Sequence, residues 1–177
     1  MSKQRRLAVE PLEARCLMSA TLVKDLNTNP GSSDPNSFAV VGNNLFFAAD
    51  DGIHGRELWK TDDTTGDTSL VKDLYPGGSS SDPNYLTNVN GTVFFEASDA
   101  THTHALWKSD GTDAGTVLVK DTNPGGSSGV QDLLNVNGAL FFIAMDPGSL
   151  GSSGRLWKSD GTLGVRYWSR TFIPTRI

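Results

Sequence analysis

The feature that most constrains this chain is an internal repeat with a period close to 48 residues. The segment Leu-Trp-Lys-Ser-Asp-Gly-Thr occurs at residues 106–112 and again at 156–162, and Leu-Trp-Lys-Thr-Asp-Asp-Thr occupies residues 58–64. Lys-Asp pairs begin at positions 24, 72 and 120, and Phe-Phe pairs at positions 46, 94 and 141. A fixed period of this size indicates stacked copies of one supersecondary unit, which bury apolar surface against each other.

The markers divide the chain into three predicted β repeats, at residues 21–68, 69–116 and 117–163. Residues 1–20 have a basic start and small residues at the end, but charged residues and a proline interrupt the apolar stretch that a secretory signal needs. We interpret them as a targeting-like segment, with a short amphipathic helix as the alternative. Residues 164–177 depart from the repeat, and we interpret them as a degenerate or truncated tail or a capping strand.

Each repeat offers four short strand candidates. In the second repeat they are Ser69–Asp73, Tyr85–Val89, Thr92–Ala97 and His104–Ser109. Asn90-Gly91 predicts a two-residue hairpin turn of type I′, because both central positions of that turn need positive φ. Asn137-Gly138 repeats the signal, and we expect Asn43-Asn44 to replace it in the first copy. Hairpins join neighbouring strands, so the sheets should be antiparallel.

Two patterns predict the architecture. Strands such as Val93-Phe94-Phe95 place apolar side chains on both faces of a sheet, so both faces should be covered. Each repeat also has one long connection rich in Pro, Gly, Ser and Asp, at residues 27–36, 75–84 and 122–130. Both patterns are typical of β-propeller blades. We predict an all-β fold of antiparallel four-stranded blades in a partial propeller-like array, with a β-sandwich of stacked hairpins as the alternative.

A row of three blades would leave two apolar faces uncovered. We therefore expect the chain to be part of a longer array, or to associate through those faces with further repeats or another copy. We predict that residues 21–26 form a strand, because they match the last strand of a blade. That strand would be able to complete the final blade, where the repeat pattern fails.

Composition excludes several classes of partner. The formal net charge is −5, and residues 21–163 alone carry eight basic and eighteen acidic side chains. An acidic body disfavours nucleic acid, which needs a basic surface. The single cysteine, Cys16, permits no intrachain disulfide. No apolar run reaches the roughly 18 residues that predict a membrane span.

The repeat resembles the ELWxxDGT family of large bacterial surface and secreted proteins. The matching segments are residues 57–60, 109–112, 114–116, 119–121 and 123–128. The repeats that contain them cover about four fifths of the chain. His104-Ala105 departs from the Arg-Glu pair that precedes the family motif, and the third repeat has extra residues near positions 149–153. Residues 9–20 resemble an N-terminal motif of planctomycete-type secreted proteins. These resemblances imply a secreted or surface-attached location and no particular activity.

The repeat signature supplies the candidate site residues. We expect structural roles for Trp59, Trp107, Trp157, Asp110, Gly111, Asp160 and Gly161. The three Trp rings would pack between blades, or they would be platforms for sugar rings.

Clustered turn carboxylates are candidate Ca²⁺ ligands, since this ion takes six to eight oxygens. They are Asp50, Asp51, Asp62 and Asp63. The alternative is turn formation, in which such side chains bond nearby backbone. His102-Thr103-His104 has the spacing of a chelating pair, with exposed loop histidines as the alternative.

The sequence contains no nucleophile elbow, phosphate loop, zincin motif or dinucleotide fingerprint. We therefore expect a non-catalytic module, without a cofactor, that binds or spaces other molecules, such as an extracellular protein or glycan. The alternatives are a glycan-binding propeller and an enzyme that uses a propeller channel.

Overall fold

The chain forms strands, turns and loops throughout the residues that the structure, a computed structural model, describes. These are residues 20–147, 154–160 and 166–167. They contain no helix, which confirms the prediction of an all-β body. The strands are β1 (Asn36–Val41), β2 (Asn44–Asp50), β3 (Arg56–Asp62), β4 (Thr68–Lys72), β5 (Asn84–Val89), β6 (Thr92–Ala97), β7 (Ala105–Ser109), β8 (Val117–Lys120), β9 (Gln131–Val136), β10 (Ala139–Ala144), β11 (Arg155–Ser159) and β12 (Arg166–Tyr167). The predictions for residues 1–19 and for most of 164–177 lie outside these ranges.

The strands form three separate sheets, in each of which consecutive strands pair. The first sheet has the order β1-β2-β3-β4, the second β5-β6-β7-β8 and the third β9-β10-β11-β12. Every pairing between these strands is antiparallel, as the hairpin signals predicted. Each sheet begins after a long connection, and the fourth strands of the first two sheets come from the start of the following sequence repeat.

Residues 21–26 contain no strand, so that prediction was wrong. By repeat position they correspond to β4, whose backbone pairs with β3. In the described part of the chain, no strand at the position of β3 pairs with residues 21–26, so this segment belongs to no sheet.

The hairpin turns follow the predicted chemistry in two of the three copies. Asn90 and Gly91 have φ values of 52° and 85°, and Asn137 and Gly138 have values of 51° and 81°, as a type I′ turn requires. In the first copy Val41 pairs with Asn44, so the turn is Gly42-Asn43 and the predicted Asn43-Asn44 is wrong by one residue. Gly42 has a φ of 58° and Asn43 no positive φ, which is the pattern of a type II′ turn.

Each sheet packs through two apolar faces. We call the face turned toward the following sheet the forward face, carried in the first sheet by Phe46 and Leu58. The opposite one is the backward face, carried in the second sheet by Phe95 and Trp107. These four residues belong to one buried cluster between the first and second sheets. The same repeat positions form the cluster between the second and third sheets, which contains Phe94, Leu106, Phe142 and Trp157.

The long connections tie neighbouring sheets together. Before the second sheet, the Ser81 backbone N–H donates to the carbonyl oxygen of Arg56 in β3 at 3.1 Å. The carbonyl oxygen of Ser81 in turn accepts the N–H of Ser98, just after β6, at 2.9 Å. The equivalent bonds in the other copies run from Asp50 to Ser33 at 3.0 Å and from Met145 to Ser128 at 2.7 Å. One connection therefore contacts the sheet it leaves and the sheet it enters.

The first strands of the three sheets lie side by side, and two asparagines join them. Asn88 Nδ2 in β5 donates to the carbonyl oxygen of Val40 in β1 at 2.6 Å. Asn135 Nδ2 in β9 donates to the carbonyl oxygen of Asn88 at 2.8 Å. Val40, Asn88 and Asn135 occupy one repeat position. These two hydrogen bonds, the asparagine ladder, fix the spacing of neighbouring sheets at the edge formed by their first strands.

We expect Trp107→Ala to lower the free energy of unfolding by about 3–5 kcal/mol, because it leaves a large cavity between the first two sheets. Trp107 is 6% exposed. Urea denaturation measures the loss. Ile53→Ala, at a loop position that is 68% exposed, is the control and should change stability by less than about 0.5 kcal/mol. Equal midpoints for the two variants would contradict this assignment of the Trp107 ring to the core.

Candidate functional site

The three repeat tryptophans are core residues. Trp59, Trp107 and Trp157 are only 8%, 6% and 3% exposed, and each lies on the backward face of its sheet. Trp107 Nε1 donates to the carbonyl oxygen of Ala97 at 3.1 Å, and Trp157 Nε1 to that of Ala144 at 3.0 Å. Trp59 Nε1 is buried and has no hydrogen-bond partner. Rings so enclosed offer no surface to a sugar, which favours core packing.

Gly111, another signature residue, joins the second sheet to the first. Lys60 Nζ, on the forward face of the first sheet, donates to the carbonyl oxygen of Gly111 in the second at 2.9 Å. Gly111 has a φ of 90°, and a Cβ there would lie 3.0 Å from the Phe46 ring, so glycine meets two requirements at once. Asp160 is exposed, and Gly161 lies outside the described residues.

Asp110 shapes the turn that presents Gly111. Its Oδ1 accepts the Thr112 hydroxyl at 2.7 Å and the Thr112 backbone N–H at 2.9 Å. These two bonds hold the pKa of Asp110 below its ordinary value. The Asp-Gly-Thr sequence is therefore a turn that docks on the preceding sheet through Lys60.

The candidate calcium ligands serve their own turns. Their carboxylate oxygens accept hydrogen bonds from backbone N–H groups of the same turns. Asp50 accepts the N–H of Gly52 at 2.7 Å, and Asp62 accepts that of Thr64 at 2.7 Å. Asp51 accepts the N–H groups of Ile53 and His54, at 2.9 Å each. Asp63 is exposed at the tip of its turn. Within residues 20–147, 154–160 and 166–167, no three carboxylate, histidine or cysteine side chains are grouped closely enough to hold a metal ion.

The histidines each engage a separate carboxylate. The pairs are His54 with Asp51 at 2.7 Å, His102 with Asp99 at 3.0 Å, and His104 with Glu96. His102 and His104 therefore do not converge on one point, as a chelating pair would. In the Asp51 pair, burial raises the carboxyl pKa, but hydrogen bonds from His54 and Ile53 outweigh it and the net shift is downward.

Glu57 is a buried carboxylate that the sequence analysis missed. It is fully buried, and its Oε1 accepts the Ser81 backbone N–H at 3.0 Å. Its Oε2 accepts the Leu74 N–H at 3.1 Å and the Ser81 hydroxyl at 2.5 Å. Burial raises the pKa of Glu57 above its ordinary value. Glu57 thus fixes both ends of the connection into the second sheet, which identifies it as a structural residue.

The equivalent of Glu57 in the second copy is Ala105, which explains why the repeat pattern concealed this role. In that copy, hydrogen bonds among residues 121–128 stabilise the connection into the third sheet. The Ser128 hydroxyl donates to Asp121 Oδ1 at 2.7 Å and accepts the Thr122 N–H at 3.0 Å.

Two apolar surfaces remain after these structural roles are assigned. The forward face of the third sheet exposes 54% of Leu156 and a smaller part of Phe141, beside a cavity of about 310 Å³. The backward face of the first sheet holds Phe47 and Trp59 beneath a groove of about 240 Å³, which residues 22–26 help to line. Both are the outer equivalents of faces that are buried between sheets, so they are the candidate interaction sites.

Comparison with known proteins adds little to this description. No family model matches the chain, and no curated protein matches it. Among solved structures, the computationally designed Ika4 protein aligns over 82% of this chain and 79% of its own, with a TM-score of 0.45 and 19% identity. In the described residues no helix is long and apolar enough to cross a membrane.

We expect Glu57→Ala to destabilise the protein by about 1–3 kcal/mol, because it leaves the buried Leu74 N–H without an acceptor and removes one of the two acceptors of the Ser81 N–H. Glu57→Gln keeps one acceptor oxygen and should lose less. Asp63→Ala removes an exposed carboxylate and is the control. Urea denaturation at neutral pH gives the ranking, and a Glu57→Ala variant as stable as Asp63→Ala would contradict the role assigned to Glu57.

The Asp51 carboxylate raises the pKa of His54 through the bond between their side chains. The pair therefore stabilises the fold fully below the ordinary histidine pKa, and this contribution is lost as pH rises through the raised value. We expect Asp51→Asn to lower the pH midpoint of the His54 titration. The titration is followed through the imidazole proton resonances, and the His54→Gln variant identifies the resonance that belongs to His54. An unchanged His54 midpoint would show that Asp51 does not set it.

Proposed function

We propose that the chain is a non-catalytic repeat module of the ELWxxDGT type, which binds or spaces other molecules through the end faces of its sheet array. The observation that carries this proposal is the repetition of one interface. The forward face of the first sheet and that of the second meet their neighbours through the same repeat positions. The third sheet presents that face again with Leu156 exposed. Because this forward face binds a sheet in two copies and is exposed in the third, the exposed copy is suited to bind a further sheet of the same kind.

The proposed arrangement is a row of propeller blades. Three findings support it: the sheets stack face to face, their first strands lie side by side, and the long connections at residues 75–84 and 122–130 each run from the fourth strand of one sheet to the first of the next. This is the connectivity of neighbouring blades in a propeller.

The inner strands support the non-catalytic part of the proposal. A propeller enzyme places its reactive groups around the central channel, which the first strands line. β1, β5 and β9 carry one carboxylate, Asp132, and no histidine. The buried acids Glu57 and Glu96 are instead bonded to a connection and to His104.

The proposed location is outside the cell or on its surface. The N-terminal resemblance at residues 9–20 supports it. Partners would be further repeats, another copy, or an extracellular protein or glycan.

The array hypothesis makes a prediction for a variant with a fourth repeat. A second copy of residues 69–116, inserted after residue 116, should fold between its neighbours and raise the number of interfaces between sheets from two to three. Because repeat stability sums unit and interface contributions, the free energy of unfolding and the urea m-value should both rise. A 48-residue Gly/Ser insertion at the same point is the control and should raise neither. If the extra repeat lowers stability as the linker does, the array hypothesis is wrong.

A further inference from the structure

Residues 20–28 lie where the fourth strand of a preceding sheet would lie. Lys24-Asp25 has the repeat position of Lys72-Asp73. Leu74 packs in the cluster against the backward face of the second sheet, and Leu26 packs in the same way against the backward face of the first. Leu22 and Val23 remain exposed beside it. The segment thus has the position of a fourth strand but belongs to no described sheet.

The third sheet has the complementary deficit. Its fourth strand, β12, has two residues, whereas β4 has five and β8 has four. In the described residues β12 pairs with β11 at Trp157 and Lys158, whereas β8 pairs with β7 at three positions and β4 with β3 at four. The forward face of this sheet is the exposed one, with Leu134, Phe141 and Leu156 at the positions of Ala39, Phe46 and Leu58.

We propose that a second copy of this chain seats the backward face of its first sheet on the forward face of the third sheet, and donates residues 21–25 as a strand to β11. The donated strand replaces the two-residue pairing of β12. Its register follows from the pairs Leu58↔Lys72, Trp59↔Leu70 and Lys60↔Ser69 in the first sheet. By repeat position, Lys24 then lies opposite Leu156, Leu22 opposite Trp157, and Thr21 opposite Lys158.

Charge supports the same orientation. Inside the chain, Lys60 bonds the carbonyl oxygen of Gly111. Lys158 has the position of Lys60, and its Nζ lies 5.5 Å from the centre of the Phe141 ring, on the open face. In a second copy the position of Gly111 is taken by Asp63, beside Asp62. Lys158 therefore meets a turn that offers a carbonyl oxygen and two carboxylates.

This inference rests on the proposed array function, because it assumes that the open faces repeat the interior ones. The two can fail separately. The inserted repeat tests whether interfaces add within one chain, whereas the experiments below test whether they form between chains.

Cross-linking tests the register. Full-length Thr21→Cys and Lys158→Cys variants, each with Cys16→Ser, are mixed and oxidised, and we expect a disulfide-linked heterodimer that joins positions 21 and 158. Ile53→Cys replaces Thr21→Cys in the control mixture and should cross-link at least tenfold less. No heterodimer, or equal yields from the two mixtures, would overturn the strand donation.

Light scattering tests the face. The wild-type chain should show a mass that rises with concentration to that of a dimer or a larger ring. Leu156→Asp should remain a monomer, whereas Ile53→Asp should associate like wild type. Lys158→Glu, which places a negative charge opposite Asp62 and Asp63, should also weaken association and serves if Leu156→Asp fails to fold. A monomeric wild type at about 100 μM, or association that persists in the folded face variants, would overturn the proposal.

Discussion

Burial of apolar side chains between facing sheets is the interaction on which the rest of this structure depends. Each sheet has large apolar residues on both faces, so a single sheet in water would leave one or both of them exposed. Burial contributes roughly 25 cal/mol per Å² of apolar surface. Stacking satisfies this requirement twice inside the chain, at the clusters centred on Phe95 and Phe142. The asparagine ladder and the long connections then determine how the stacked sheets are spaced.

The repeat signature is explained by this stacking. Trp107 fills the interface behind its sheet, while Lys60 reaches across the interface in front of its sheet to the turn at Gly111. Residues that recur every 48 positions are therefore the ones that each interface needs. A ligand site would not require them in every copy. This is why the signature identifies the architecture clearly and the partner only through the faces that remain open.

The sequence was sufficient to predict the all-β class, the antiparallel pairing and two type I′ turns, because these depend on local patterns that recur in each copy. It failed where one copy differs from the others. The first hairpin turns at Gly42, since glycine reaches positive φ as readily as asparagine does. Residues 21–26 match a strand but lack the neighbouring strand that would pair with them.

The candidate site was predictable to a similar degree. The open apolar faces followed from the two-faced strands, and the structural role of the tryptophans was one of two alternatives that the sequence left open. Glu57 was not predictable, because its three donors come from a connection that is distant in sequence and its equivalent in the next copy is Ala105. A buried carboxylate is recognised only when its partners are located in space.

The face-to-face stacking itself is tested most directly by nuclear Overhauser effects between sheets. Face-to-face stacking predicts a strong cross-peak between the Phe46 ring protons and the Gly111 α-protons, because a Cβ on Gly111 would lie 3.0 Å from that ring. It also predicts cross-peaks from the Asn88 side-chain amide to the backbone around Val40, which its hydrogen bond of 2.6 Å brings into range. A well-dispersed spectrum with cross-peaks only within sheets would contradict the stacked arrangement.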